Sequence, residues 1–173
     1  MKGLPRSLSR GAHQTRQHVS RQVVVVEDLT IAVAATGEAV GFGTAVLGDF
    51  PEGNILLLGC TGYLKLDGSG ADANLTADWE GDFSVGITGT ADATLDSTDV
   101  NILPSTALAA ATAEIGVRTR SVNATPVMLD NTDGSLEINL SALIDAADIT
   151  DDQSVDLTVN GELQLAYIVL GDD

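Results

Sequence analysis

Histidine is almost absent from this chain: His13 and His18 are the only two, and residues 27–173 contain none. Without an imidazole, that stretch cannot assemble a Ser-His-Asp or Cys-His nucleophile, and it lacks the commonest zinc ligand. Cysteine is scarcer still. Cys60 stands alone, so no internal disulfide can form, and a single thiol in an apolar stretch is expected to act as a small buried hydrophobe. Aromatic residues make up 3% of the 173 positions, which leaves the core to Val, Ile, Leu and Ala. That poverty also counts against a sugar cleft, which needs exposed rings. No run reaches the ~18 apolar residues of a membrane span, and residues 7–21 are too polar for the apolar region of a secretory signal. G-x-S-x-G elbows and phosphate loops are missing too. Gly41-Phe42-Gly43 has no third glycine, and Gly68-Ser69-Gly70 has the wrong spacing.

Acid is missing from the first 26 residues. Lys2, Arg6, Arg10, Arg16 and Arg21 give that stretch +5, while the remainder holds 3 basic and 25 acidic residues, 3 − 25 = −22, for a total of −17. Such a split predicts two parts: a basic, extended N-terminal arm over 1–26, with little to bury, and an acidic domain over 27–173. An acidic surface repels bare nucleic acid and anionic membranes, so neither is expected as a partner of the body. A saline habitat favours acidic surfaces as well.

What the body does have is apolar alternation with period 2, the signature of half-buried strands. Leu29, Ile31, Val33 and Ala35 share one face of a first strand, with a turn at Gly37-Glu38. Val40, Phe42, Thr44 and Val46 share a face of the next, opposite Gly41 and Gly43. Ile55, Leu56, Leu57 and Leu58 are apolar on both faces, which predicts a strand covered on one side by a second sheet and on the other by a loop or a neighbouring subunit. Phe83, Val85 and Ile87 alternate again. Pro104 and Ser105 predict the start of a short helix through 107–113, and Asp133-Gly134 predicts a hairpin turn into Leu136, Ile138 and Leu140. Near the C-terminus Val155, Leu157, Val159, Leu163, Leu165, Tyr167 and Val169 are all odd-numbered. A hairpin at Asn160-Gly161 would set odd apolar residues against even polar ones, so one long strand through Gly161 is predicted. About eight strands without βαβ alternation point to an all-β fold: an antiparallel β-sandwich, best read as a jelly roll.

Two acidic groupings invite chemistry. Glu80 and Asp82 follow Trp79 closely enough to suggest a glycosidase pair, but a surface turn beside a core tryptophan is the reading that accounts for them best. Asp130-Asn131-Thr132-Asp133 and Asp148, Asp151 and Asp152 gather oxygen donors of the kind that hold calcium. Neither grouping has EF-hand spacing, and ordinary turn chemistry explains both. No cofactor is expected.

The strings P-E-G-N-I-L-L-L-G at 51–59, N-I-L-P-S-T-A-L at 101–108, N-A-T-P-V-M-L-D-N at 123–131 and A-Y-I-V-L-G-D-D at 166–173 resemble small structural proteins of tailed bacteriophages, in particular the capsid decoration (cement) family. The resemblance implies a jelly roll, usually a homotrimer, bound to the major capsid protein on the capsid exterior of the virion, with no catalytic residue. In that setting Lys2, Arg6, Arg10, Arg16 and Arg21 would pair with carboxylates of an acidic capsid face. Val23, Val24, Val25 and Val26 would either add a strand to a neighbour's sheet or form the first core strand. A jelly-roll coat protein whose arm holds the genome, and a glycan-binding module, are the competing expectations.

Overall fold

A computed structural model describes residues 18–35, 40–70 and 72–171 of the chain. Nine strands carry the described part: β1 Ser20–Ala34, β2 Gly41–Asp49, β3 Gly53–Asp67, β4 Gly81–Gly86, β5 Leu103–Leu108, β6 Thr119–Asn123, β7 Val127–Asn131, β8 Glu137–Ile144 and β9 Ser154–Gly171. Every pairing between them is antiparallel.

The order along the sheet is β5-β4-β8-β2-β1-β9-β3-β6, with β7 also on β3. β1 and β2 touch at one register position only, Ala34↔Phe42, so the path folds there into two layers. One layer is β1-β9-β3-β6/β7 and the other β2-β8-β4-β5. Consecutive strands alternate between layers from β1 to β4, and β8 and β9 return between their predecessors. This is the wrapped connectivity of a jelly roll, as the alternation predicts. At the far side β5 and β6 come together through a hydroxyl pair, Thr106 Oγ1 and Ser121 Oγ at 2.7 Å, which nearly closes the structure into a barrel.

The core lies between the layers. β9 runs unbroken through Gly161, and Val155, Leu157, Val159, Leu163, Leu165 and Tyr167 all point inward, as the odd-number pattern requires, while Val169, expected with them, is exposed near the strand's end. Trp79, Phe83, Leu140 and Ile144 fill the opposite side. Two strands change parity partway. In β1 the inward residues are Val24 and Val26, then Leu29, Ile31 and Val33, because a bulge at Glu27 and Asp28 sits opposite Asn160. Asp28 adopts φ 49 there, and its N–H donates to Asn160 Oδ1 at 2.9 Å. In β3 a bulge at Leu58 shifts the inward set from Ile55 and Leu57 to Cys60, Leu64 and Leu66.

Four expectations change against this frame. β1 starts at Ser20, so residues 20–26 belong to the first core strand and not to an arm that ends at 26. The inward face of β2 is the glycine face. A Cβ on Gly43 would stand 2.2 Å from Ala32 O, so β1 and β2 cross too closely for Phe42 or Val46 to face in. No helix follows Pro104. Residues 103–108 are β5, an outer strand of its layer where a missing N–H is tolerated and where pairing with β4 holds Ala107, and 109–113 continue as loop and turn. Asp133-Gly134 does turn, with Gly134 at φ 69, yet the strands it joins do not pair with each other: β7 lies on β3 and β8 between β2 and β4. The turn at Gly37-Glu38 lies outside the described residues.

Candidate functional site

The two layers differ in what covers them. On β8, Asn139 and Ser141 point away from the core and are nonetheless buried. Residues 87–101 lie over them: Thr90 N–H donates to Ser141 Oγ at 2.9 Å, and Asn139 Nδ2 donates to Ile87 O at 3.3 Å. Nothing comparable lies over β1-β9-β3-β6/β7 among the described residues. Its outer face is read row by row from the registers. Arg21, Ala166 and Gly59 form one row; Val23, Gln164, Thr61 and Val122 form the next; Val25, Glu162, Tyr63 and Arg120 form a third. Leu56 sits between Ile168 and Met128. The predicted double cover of Ile55–Leu58 is therefore half present. Ile55 and Leu57 are enclosed by the second layer, while Leu56 and Leu58 are half-buried on the bare side.

A groove of about 460 Å³ crosses this face, bordered by Arg21, Val23, Leu58, Val122 and Ala124. Three local features open it. Gly59 and Ala166 are short, the β3 bulge displaces Leu58, and the outer strand is interrupted between β6 and β7. Pro126 falls in that interruption and has no N–H for the ladder. Gly59 also keeps the gap tight, since a Cβ there would stand 2.8 Å from Asn123 O.

The described cations lie on the same face, beside the acids Glu162 and Asp156. The cations among the described residues are Arg21, Lys65, Arg118 and Arg120. Arg21, Lys65 and Arg120 project outward from β1, β3 and β6, alternating with inward neighbours, and Arg118 leads into β6. The Arg120 guanidinium stands 5.7 Å from the centre of the Tyr63 ring, a cation–π geometry that uses its positive charge without an acid. Lys65 Nζ pairs with Asp67 Oδ2 at 2.8 Å.

The residues singled out by sequence fall as follows. Lys2, Arg6, Arg10 and Arg16 lie outside the described residues. Arg21 borders the groove. Val23 and Val25 are 56% and 62% exposed on the bare face, Val24 is half-buried and Val26 is buried. All four valines pair with β9 of their own chain, so of the two roles open to them the core strand is the one taken at that edge.

Elsewhere the polar clusters are occupied by structure. Trp79 is 1% exposed and its Nε1 donates to Glu114 O at 3.2 Å, so it offers no ring to a sugar beside Glu80 and Asp82. Asp130 Oδ1 accepts from Thr132, and Asp133 Oδ1 from Ser135, through both backbone and hydroxyl donors. Those Ser135 bonds hold Asp133 below the usual carboxylate range. Asn131 ties the turn to the preceding loop by donating to Phe50 O and Pro51 O. Asp148 accepts from Thr76 Oγ1 and from Glu80 N–H. Cys60 is buried, as its surroundings predict, and burial pushes its thiol up to about 12.

Glu114 is the group that sequence reasoning missed. It is 6% exposed, its carboxylate accepts from Gly70 N–H at 2.8 Å and Asp72 N–H at 3.0 Å, and its backbone holds Gly68 and Ala77. Ala113 and Glu114 both adopt positive φ to reach this position. The bonds pin residues 68–70 and 72–77 over the end of the core, a structural role. Nothing in the sequence marks this acid among twenty-four others.

Comparison with known proteins yields little. No family model matches the chain, and no curated protein does. One solved structure, titled "Structure of infectious bursal disease virus Gt strain", contains a chain similar over 88% of this one, at 12% identity and a TM-score of 0.37. The match spans 32% of that longer chain.

Proposed function

We propose that this protein is a non-enzymatic capsid decoration protein of a virion, attached to the major capsid protein on the shell's exterior and stabilising the shell by bridging subunits. The observation that carries the reading is where the cations and the cover fall. A −22 body gathers its few cations on its one bare sheet face among the described residues, and Arg21, the last cation of the acid-free +5 stretch, stands at the edge of that face. A cement protein needs contact area without a larger core. A bare four-strand face with a groove, continued by a basic segment, supplies it. Arginines in that segment form bidentate pairs with carboxylates, so an acidic shell surface is the partner that fits.

The test compares the full chain with a variant lacking residues 1–17, which retains every described strand. Each is incubated with empty expanded capsids and, separately, with duplex DNA across a salt series. Co-sedimentation of the full chain with capsids, lost in the truncated form, supports the proposal. DNA binding with a steep salt slope that disappears on truncation, without capsid binding, overturns it in favour of a coat protein whose arm holds the genome.

A further inference from the structure

β1 has two edges and uses one. β9 pairs with it from Ser20 to Ala34, whereas β2 meets the other edge only at Ala34. Among the described residues nothing pairs with that second edge between 20 and 33. Backbone groups turned outward along such an edge are a template for strand addition. Folds normally blunt the hazard with bulges, charge or proline; before Glu27, where the bulge and two acids stand, β1 carries a single charge, Arg21. Before it the edge reads Ser20-Arg21-Gln22-Val23-Val24-Val25-Val26, with four β-branched residues in succession and neither acid nor proline. On this stretch Gln22 Oε1 is enclosed and has no hydrogen-bond partner among the described residues.

We infer that this edge pairs with the same edge of a second copy, antiparallel about a twofold axis at Val23. Ser20 then meets Val26, Arg21 meets Val25, Gln22 meets Val24, and Val23 meets itself. Outward backbone groups recur at alternate residues, so self-pairing requires partners of equal parity. This register meets that condition and engages the whole unprotected stretch. It also matches charge. Arg21 lies diagonal to the second copy's Glu27, within reach of long side chains. Parallel pairing would instead stack Arg21 on Arg21 and acid on acid. On the inner face the two Gln22 side chains become diagonal neighbours, which offers the unpartnered oxygen an amide donor. An unrelated peptide would gain the backbone bonds without these matches, so the occupant is a second copy. The inference is independent of capsid binding.

A cysteine pair tests both association and register in the full chain. Paired Cα atoms lie about 4.5–5.5 Å apart, inside the disulfide range of about 4.4–6.8 Å. Val23→Cys therefore cross-links across the axis, at least tenfold more than Val25→Cys, whose two copies stand about 13 Å apart along the strands. The native chain sediments as a dimer at micromolar concentration. Val23→Lys sets like charges opposite and sediments as a monomer with an unchanged circular dichroism spectrum. Three results would overturn the inference: a native monomer with no preferential Val23→Cys cross-linking, a dimer in which Val25→Cys cross-links as well, or a trimer, for which twofold edge pairing leaves no third edge.

Discussion

Gly161 sits in the middle of the longest strand, and replacing it with alanine should cost more than any other single methyl addition on β9. Its φ is +151, a region nearly closed to side chains, and a Cβ would stand 2.0 Å from Tyr63 O and 3.0 Å from Leu64 Cα. Holding a non-glycine residue in such a conformation costs about 1–3 kcal/mol. Pushing the β3 backbone aside is overpacking, roughly another 1–3 kcal/mol. Gly161→Ala is therefore expected to lose about 2–6 kcal/mol. Three companions separate the contributions. Gly70→Ala carries only the backbone cost, since φ is +82 and nothing lies within 4 Å. Gly43→Ala carries only the contact cost, against Ala32 O at 2.2 Å. Gly48→Ala has neither and should be near neutral. Urea unfolding followed by Trp79 fluorescence gives each value. In thermal melts a loss of about 3 kcal/mol appears as roughly 6–12 °C. A Gly161→Ala protein within about 0.5 kcal/mol of the parent, the ordinary range for surface changes, would refute the reasoning, and so would a Gly48→Ala penalty of equal size.

Three further outcomes are expected. Glu114→Gln sets an amide NH₂ against one of the two backbone donors the carboxylate now serves, costing about 1–3 kcal/mol; hydrogen exchange at Gly70 and Asp72 should accelerate while β9 stays protected. Cys60, with its thiol raised to about 12, should resist a thiol reagent at mildly alkaline pH in the native state and react fully in denaturant; fast native labelling would contradict the burial. Asp133 titrates below its ordinary value of 3.8 because Ser135 bonds its charged form, so its contribution to stability is present above 3.8 and is lost as pH falls through the lower folded value. Ser135→Ala should move its NMR titration up toward 3.8, and an unmoved midpoint would dismiss the hydroxyl as the cause.

Parity was a sound guide wherever a strand runs without a bulge. β9 keeps one face inward from Val155 to Tyr167 because Gly161 absorbs a close approach without shifting register. β1 and β3 each insert a residue, and their apolar positions flip from even to odd in one case and from odd to even in the other. The flip is visible in β3, where Leu57 is followed inward by Cys60. In β1 four consecutive valines hide it, since every position is apolar. The charge change at Glu27 then looks like the end of an arm, although it marks a bulge within a strand. Gly41 and Gly43 show a different limit. Proximity between β1 and β2 turns the small residues inward, and period alone credits the larger Phe42 and Val46 with the core face. At Asp133-Gly134 the chemistry of the turn is local and readable, while the choice of partner strand depends on layers that no local pattern encodes.

The candidate interface was legible in part, through the doubly apolar Ile55–Leu58 and the missing early acids. The physical reason links the two signals. At the β5–β6 side the outer strands approach each other, and Thr106 with Ser121 spans the seam. On the β1 side β2 closes the seam only near Ala34, so over residues 20–26 protection must come from β1 itself. Protection by acid first appears at the bulge, where Asp28 already spends its N–H on Asn160. Acids at positions 21, 23 or 25 would project onto the bare face, beside the groove and the exposed valines. They would add repulsion to a body already at −22 and lose hydration on pairing. The acid-free stretch therefore ends where the usable edge ends, at Val26. That coincidence joins the charge pattern to strand geometry, and it makes the first seven residues of β1 both the outer margin of the core and the margin at which another chain can be received.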